Sequence, residues 1–582
     1  MRSTAVLEER LSMSAKMSRL GQRLKDPQWR KYGLTLLGGK MLGLALIFLV
    51  MILVEVGPAY FSGVAHAQAT TAPATAPAAT ALTTAVQASD PYVNPINTVW
   101  TLVAAFLVFG MQAGFTMLEA GFCRSRETVN VLVECVFDTC LCGLLFYAFG
   151  YAFMFGQGNG LIGWHDPNDA TKNWFFLKGV NATDTYGGSG VPVLAHWVFQ
   201  FAFADCASTI CSGTMIGRTA FAGDIIYSVF VSGFIYPIIG HWCWGPDGFL
   251  ATMGSPKTEA FTGFLANHMS VNGNAIPFHD FAGSTVVHSI GGWIALAGGV
   301  MLGPRLGRKF KRDGGGPMLP HDLVMGVIGG FILWFGWYGF NPGSSLSAMD
   351  FGGIGRIAAN TTLAACTGGM AAEFFMYFRT GKWDAGAITN GFLAGLVAIT
   401  CPCYWVTPTG ACILGAVAGV IVLLGMDLLE FLRIDDPIGA WPVHGLCGVW
   451  GTLSLGLFAC GYYQNSGSSP TGIPTINPHD PATSLTGLFY GGGWKVLESQ
   501  AIGSAVVCGA TFAVAMAVFG ALHLVGLLRI SREGELEGMD IHEHGCPAYP
   551  EYVISALAAP AGSPPDTVLL ESRSSRMTET VA

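Results

Sequence analysis

Charge is scarce in this sequence: Asp, Glu, Lys and Arg make up 11% of its 582 residues, against about a quarter in ordinary soluble domains. So little charge cannot cover a water-facing surface around a core of this size. With 51% hydrophobic residues and a mean hydropathy of +0.48, the chain reads as a polytopic membrane protein. The 15 cysteines include no C-x-x-C pair and no C-x-x-C-H run, so neither a dithiol redox motif nor a covalently attached haem is expected. Most of them, including Cys135, Cys140, Cys142, Cys206 and Cys211, lie in apolar runs and read as small packing residues. Cys401 and Cys403, in a Cys-Pro-Cys turn, are the expected exposed exception. The net charge of −8 decides little, because in a membrane protein the distribution of Lys and Arg matters more than their sum.

Glycine, by contrast, is abundant at 79 residues, which suits helices packed closely in lipid. Met1 to Lys40 is basic and polar, Met41 to Val56 is apolar, and Ala65-His66-Ala67 follows. Together they read as a signal peptide over residues 1–67 with a long basic region; a retained extra helix, or a start further in, is the alternative. Residues 68–91 form an Ala/Thr/Pro linker without core-forming side chains, expected to be disordered. Eleven apolar spans follow, near 98–118, 131–156, 193–217, 225–244, 280–303, 322–341, 355–378, 386–403, 409–430, 440–461 and 496–527. They define a transmembrane domain over 92–528, followed by a cytoplasmic region at 529–549 and a disordered tail at 550–582. Alternate loops divide the charge unequally. One set holds Arg124, Arg126, Arg218, Arg305 to Arg312, Arg379, Lys382, Arg433, Arg529 and Arg532, the other only Lys172, Lys178, Lys257, Arg356 and Lys495. Positive loops stay inside, which puts the mature N-terminus outside and the C-terminus in the cytoplasm.

Two stretches echo each other: DFAGSTVVHSIGG from Asp280 and DPIGAWPVHGLCG from Asp436. Both fit D-x-x-G-x-x-x-V-H-x-x-x-G. An Asp at a helix start caps free N–H groups, and eight residues of helix then carry His288 and His444 roughly 12 Å inward, near the middle of a hydrocarbon layer about 30 Å thick. Histidines at that depth are functional candidates. The two stretches open the fifth and tenth spans, an odd offset, so the helices run in opposite directions and the imidazoles meet. That predicts an inverted five-plus-five repeat with a site between its halves; chance likeness of two Gly-rich helices is the weaker explanation.

These residues carry a resemblance to the ammonium transporter (Amt/Rh) family. DFAGSTVVHSIGGWIALAGGVMLGPR (Asp280 to Arg305) is similar throughout to the family's fifth-helix signature. GWYGFNPGSS (Gly336 to Ser345), RIDDP with VHGLCG (Arg433 to Gly448) and EGMDIHEHG (Glu537 to Gly545) match further motifs. The likeness covers Tyr92 to Tyr549. It implies an all-α, Amt-type homotrimer with one pore per subunit, no cofactor, and ammonium or ammonia as substrate.

The resemblance also implies roles. Trp244, Phe203 and Ser344 form an external recruitment site, where aromatic faces and a hydroxyl attract a small cation by about 0.5–2 kcal/mol; without the family, Trp244 reads as an interfacial belt residue. Phe199 and Phe203, i and i+4 on the third span, form a stacked gate, although a packing stripe is the plainer account. Burial drives the pKa of an amine downward, so ammonium in such a slot should yield its proton. His288 and His444 then line the pore with Trp337 and Phe340, bonding ammonia and relaying the proton; satisfied core histidines and axial haem ligands are the competing accounts. Asp280 is a helix cap that also favours positive charge in the vestibule. Asp436 is its inner, structural counterpart, and Glu119, Glu134 and Asp138 join helices or subunits. The 529–549 region implies coupling between subunits and docking of a PII-type signal protein at the inner face. Two departures from the family stand nearby: Gly217 before Arg218 where many members have Glu, and Cys546 after His544-Gly545. Ammonium transport is the expected function. An ammonium sensor with little transport, a Rh-like channel for neutral gas and a haem-bearing respiratory subunit are the alternatives, the sensor ranking second because the stretch after Tyr549 reads as a tail and not a signalling domain.

Overall fold

A computed structural model describes residues 92–187, 190–254, 269–271, 274–460 and 485–550. The expected signal peptide, the linker and the tail after residue 550 lie outside them. Each of the eleven expected spans falls on a helix: α1 Val93–Phe122, α2 Thr128–Phe155, α3 Val193–Ser212, α4 Phe221–Trp244, α5 Ser284–Leu302, α6 Leu323–Ser345, α7 Phe351–Thr380, α8 Ala385–Thr400, α9 Pro408–Leu432, α10 over 441–458 and α11 Lys495–Leu524. Eight of these are long and apolar enough to cross a membrane; α8 is apolar but shorter, and α7 and α10 do not meet that measure. Helix α7 carries Arg356, Glu373 and Arg379 along its length.

Several helix starts follow from local sequence. Asp322, Asp350, Asp384 and Thr407 each accept a hydrogen bond from the backbone N–H three residues on, at 2.9–3.0 Å, and so cap α6, α7, α8 and α9. Between α2 and α3 the chain makes an antiparallel sheet of β1 Gln157–Asn159, β2 Ile162–Asp166 and β3 Asp169–Asn173, then the pair β4 Thr185–Tyr186 and β5 Val191–Pro192. His241 of α4 ties this segment down, bonding Met154 O at 3.0 Å and Asn159 O at 2.9 Å. The buried acids join helices, as expected: Glu119 of α1 accepts from Ser212 of α3 at 2.9 Å, and Glu134 of α2 accepts from Tyr227 of α4 at 3.5 Å.

The echoing stretches fold alike, with one difference from expectation. Neither helix begins at its Asp; α5 starts at Ser284 and α10 at Trp441. The carboxylate of Asp280 reaches forward and accepts from the N–H groups of Gly283, Ser284, Thr285 and Val286 at 2.8–3.0 Å. Asp436 does the same for Gly439, Ala440 and Trp441 at 2.9–3.1 Å. This reach needs a turn at the third position, where Gly283 (φ 116°) and Gly439 (φ 80°) adopt left-handed backbone that a side chain disfavours. Each helix then opens with a π-helical turn, Ser284–Ser289 and Trp441–Leu446, carrying its Val-His pair; such turns are rare and gather at functional sites.

The last glycine of each motif is a crossing point. A Cβ on Gly292 would run into Gly445 of α10, and one on Gly448 into Ser284 and Ser289 of α5. Position twelve of each copy therefore meets position nine of the other, as an inverted pair of helices requires.

Candidate functional site: an aromatic cavity above a histidine pair

Helix α3 turns His196, Phe199, Gln200 and Phe203 to one face, at i, i+3, i+4 and i+7. Trp244 comes from the end of α4 and Ser344 from the end of α6. These six residues share the lining of a cavity of about 50 Å³. The Trp244 indole N–H donates to Asp280 O at 2.8 Å, which fixes the ring, and Phe203 meets it edge-on with centroids 6.3 Å apart. The Ser344 hydroxyl donates to Phe340 O at 2.8 Å, which leaves its oxygen lone pairs for a donor in the cavity.

Beneath the cavity the rings form a row. Phe199 and Phe203, expected to stack, lie 4.6 Å apart but tilted by 45°, because neighbours one turn apart on a helix approach at an angle. The stacked partner of Phe203 is Phe340 of α6, at 4.0 Å and 22°. Phe340 leads to His288 at 5.4 Å, and His288 lies flat on Trp337 at 5.1 Å and 18°. Trp337 donates from its indole N–H to Thr400 Oγ1 at 2.9 Å. It is fully buried beside the histidines and does not line the cavity, since seven residues of helix separate it from Ser344 by about 10 Å.

His288 and His444 close the row. Their Nδ1 atoms are 3.1 Å apart, so one imidazole donates and the other accepts. Rings bonded directly to each other leave no space for an iron between them, so the pair does not form the two axial ligands of one haem. Their partner is each other, and His288 Nε2 is buried with no hydrogen-bond partner, where most buried polar atoms have one. All nine expected residues thus gather at one place: Trp244, Phe203, Phe199 and Ser344 at the cavity, Phe340, Trp337, His288 and His444 below it, and Asp280 as the cap that holds α5 and, through its carbonyl, Trp244. The Asp280 side chain does not line the cavity.

His196 and Gln200 were passed over in the sequence, although HWVFQFAF places them on the face shared by Phe199 and Phe203. Phe155 and Tyr186 also reach the cavity, from a helix end and a two-residue strand that nothing in the sequence relates to α3. The Cys-Pro-Cys turn departs from expectation as well: Cys401 and Cys403 are buried. Folding the turn over the start of α5 hides them, with Cys401 N–H donating to Ser284 Oγ at 2.6 Å. A grouping of metal-binding character exists among the described residues, the buried carboxylates of Glu134, Asp138 and Asp224, but none of the three lines the cavity or joins the ring row.

The far end of α5 is tied to the C-terminal region. Arg218 donates to Gly303 O and to Asp435 O, both at 2.7 Å, and Arg305 grips the Asp435 carboxylate at 2.8 and 2.9 Å. Arg529 donates to Leu302 O at 2.6 Å and to Glu535 at 2.8 Å. Short helices α12 (Arg532–Glu537) and α13 (Met539–His544) follow, and Asp540 accepts from Asn130 N–H at 3.0 Å. The tail therefore lies against the loops that follow α1, α3 and α5, the set expected to face inward. At Gly217 (φ 82°) a Cβ would meet the Glu127 carboxylate, which is paired with Arg124; an acid from the neighbouring loop occupies the place next to this glycine.

The geometry agrees with what the chain resembles in known proteins. The Ammonium Transporter Family model matches residues 99–549. Ammonium transporter Amt2 of Archaeoglobus fulgidus is 41% identical over 468 residues, covering 80% of this chain and 91% of that protein. Ammonium transporter 1 member 1 of Arabidopsis thaliana is 39% identical over 451 residues, 74% of this chain and 81% of the relative. Among solved structures, a protein described as Sensor Amt Protein superposes with a TM-score of 0.64 at 33% identity, covering 78% of this chain and 99% of its own. Candida albicans Mep2 gives 0.64 at 26% identity, with 79% and 93% covered. A multi-span, helical membrane protein with these matches is a transporter-type protein and not an enzyme: the chain belongs to the ammonium transporter family.

Proposed function

We propose that this protein moves ammonium across the membrane by splitting it: the cation is held in the outer cavity, gives up its proton at the phenylalanines, and passes as ammonia beside the histidine pair. The unbroken row Trp244–Phe203–Phe340–His288–His444 carries this reading. Aromatic faces attract a cation, and Ser344 offers an acceptor. The stacked Phe203 and Phe340 strip water from whatever passes, which favours the neutral amine over the ion. Potassium has no proton to give and stops there. Below, the imidazole nitrogens accept from or donate to ammonia, and the hydrogen bond between Nδ1 atoms offers the released proton a route. Phe203 serves both recruitment and gate, with Phe199 as a second wall.

The same reading has eleven crossings with the mature N-terminus outside and the C-terminus inside, in the plasma membrane, after a signal peptide. It has a homotrimer with a pore in each subunit, and an inner face where a PII-type protein docks against the 529–549 region. Proteoliposomes given an ammonium gradient test the core of it: current with ammonium and none with potassium supports transport.

A second reading, an ammonium sensor that conducts little, is favoured by the likeness to the Sensor Amt Protein. Saturable ammonium binding without flux in the same proteoliposomes would support it. A channel for neutral gas has no use for the aromatic cavity.

A further inference from the structure

Ammonium has only donors, four N–H bonds, and the recruitment residues supply it with one side-chain acceptor, Ser344. A second polar side chain lines the same cavity. Gln200 of α3 is 7% exposed, and its Oε1 is buried with no hydrogen-bond partner. Its amide nitrogen is committed elsewhere, 3.3 Å from His196 Nε2. An amide N–H only donates, so His196 Nε2 accepts, and the neutral ring carries its proton on Nδ1. That proton goes to the Tyr151 hydroxyl oxygen, 2.9 Å away. Tyr186 stacks on the imidazole at 3.8 Å and 7°, which holds the ring in plane. With the amide so oriented, the chain Tyr151–His196–Gln200 ties the amide nitrogen back and leaves its carbonyl oxygen at the end of the line without a donor.

We propose that Gln200 is a second hydrogen-bond acceptor for ammonium in the outer cavity, and that Tyr151 and His196 are the positioning residues that fix its amide. This rests on the ammonium reading above and extends it. Unpaired acceptors inside proteins are uncommon, and a donor-only cation entering the cavity lined by Gln200 is the partner this one lacks. Ser344 and Gln200 come from different helices, α6 and α3, so the bound ion bridges the two elements that also contribute the stacked Phe340 and Phe203. Acceptance of two hydrogen bonds distinguishes ammonium from a bare alkali ion by direction as well as by charge.

The test is current through proteoliposomes as ammonium chloride is raised, for wild type, Gln200→Leu, Gln200→Glu and Tyr151→Phe, each matched to wild type by elution volume and thermal unfolding. Gln200→Leu raises the half-saturating ammonium concentration about tenfold, the usual effect of losing one bond to a charged group, and leaves the maximal current within about twofold, since uniform binding alone is removed. Gln200→Glu, which keeps an acceptor oxygen at the same reach and adds a negative charge that attracts the cation, does not raise the half-saturating concentration. Tyr151→Phe, outside the cavity lining, removes the acceptor for His196 Nδ1, favours the Nε2–H form and turns the Gln200 oxygen toward it, so half-saturation rises here too. Should Gln200→Leu not fold, Tyr151→Phe carries the test. Half-saturation unchanged in folded Gln200→Leu and Tyr151→Phe overturns the proposal and leaves a bound water as the partner of Oε1. Absence of saturable ammonium current in wild type sinks the transport reading instead, so the two failures are distinguishable.

Discussion

His288 and His444 face each other Nδ1 to Nδ1 at 3.1 Å, with ring planes 26° apart, from two helices that begin with the same motif. One proton occupies that contact, so the outer nitrogens cannot play the same part: one ring presents an N–H there and the other a lone pair. Replacing either histidine by Ala breaks the shared bond and widens the row. His288→Ala and His444→Ala are each expected to lose ammonium-over-potassium selectivity by about tenfold or more, the scale of one lost bond to a charged or polarised group, while the purified protein keeps its elution profile. Currents in ammonium and in potassium check this, and unchanged selectivity in both variants would end the relay role.

The stack of Phe203 on Phe340 makes a separate prediction. Phe340→Ala removes the ring 4.0 Å from Phe203 and 5.4 Å from His288, so hydrated ions are no longer stripped. Potassium current appears in this variant. Phe199→Ala leaves the Phe203–Phe340 stack in place and admits little potassium. Equal potassium leak in the two variants, measured side by side, would assign the barrier to the tilted pair on α3 instead.

Gly292 and Gly448 predict a stability effect. A methyl group at Gly292 meets the Gly445 backbone, and one at Gly448 meets the Ser284 carbonyl and the short Ser289 hydroxyl of the opposing motif. Overpacking of this kind costs about 1–3 kcal/mol. Gly292→Ala and Gly448→Ala should each lower the thermal unfolding midpoint, and Gly314→Ala, where nothing stands within 4 Å but φ is 79°, should cost only the smaller backbone strain. Midpoints measured in detergent decide it; the same small loss at all three sites would remove the close crossing.

The ties at the far end of α5 respond to pH. Burial pushes the Asp435 carboxyl up, but Arg305 and Arg218 outweigh it and hold it well below the usual carboxylate range. A group depressed on folding stabilises the folded state above its unfolded value, about 3.9, and that contribution is lost as pH falls from there toward the folded value. Stability attributable to Asp435 is therefore complete at neutral pH and erodes in acid. Asp435→Asn leaves the buried guanidinium of Arg305 without its counter-charge, which costs about 3–5 kcal/mol, and flattens the acid limb. Unfolding midpoints from pH 3 to 7 for wild type and variant give the comparison; parallel curves would show that the ion pair contributes nothing there.

The sequence by itself determined the long-range plan, because its signals are local or periodic. Apolar runs placed the eleven expected helices, and a motif written twice at an odd helix offset required two histidines to meet. Even the last glycines of D-x-x-G-x-x-x-V-H-x-x-x-G were legible as a pattern, though their purpose as a crossing point was not. Only the tertiary structure decided which rings touch. Phe199 and Phe203 share a helix face, so spacing alone pairs them; the approach of α6 is what gives Phe203 a flat partner in Phe340, and no one-dimensional period encodes the separation of two helices. The same holds for Gln200, whose amide is fixed by His196 on its own helix but also by Tyr151 from α2, and for Cys401 and Cys403, which a turn composition marks as exposed and the packing over α5 buries. Side-chain direction between distant elements depends on how those elements dock, and docking is set by the sum of many contacts that no single stretch contains.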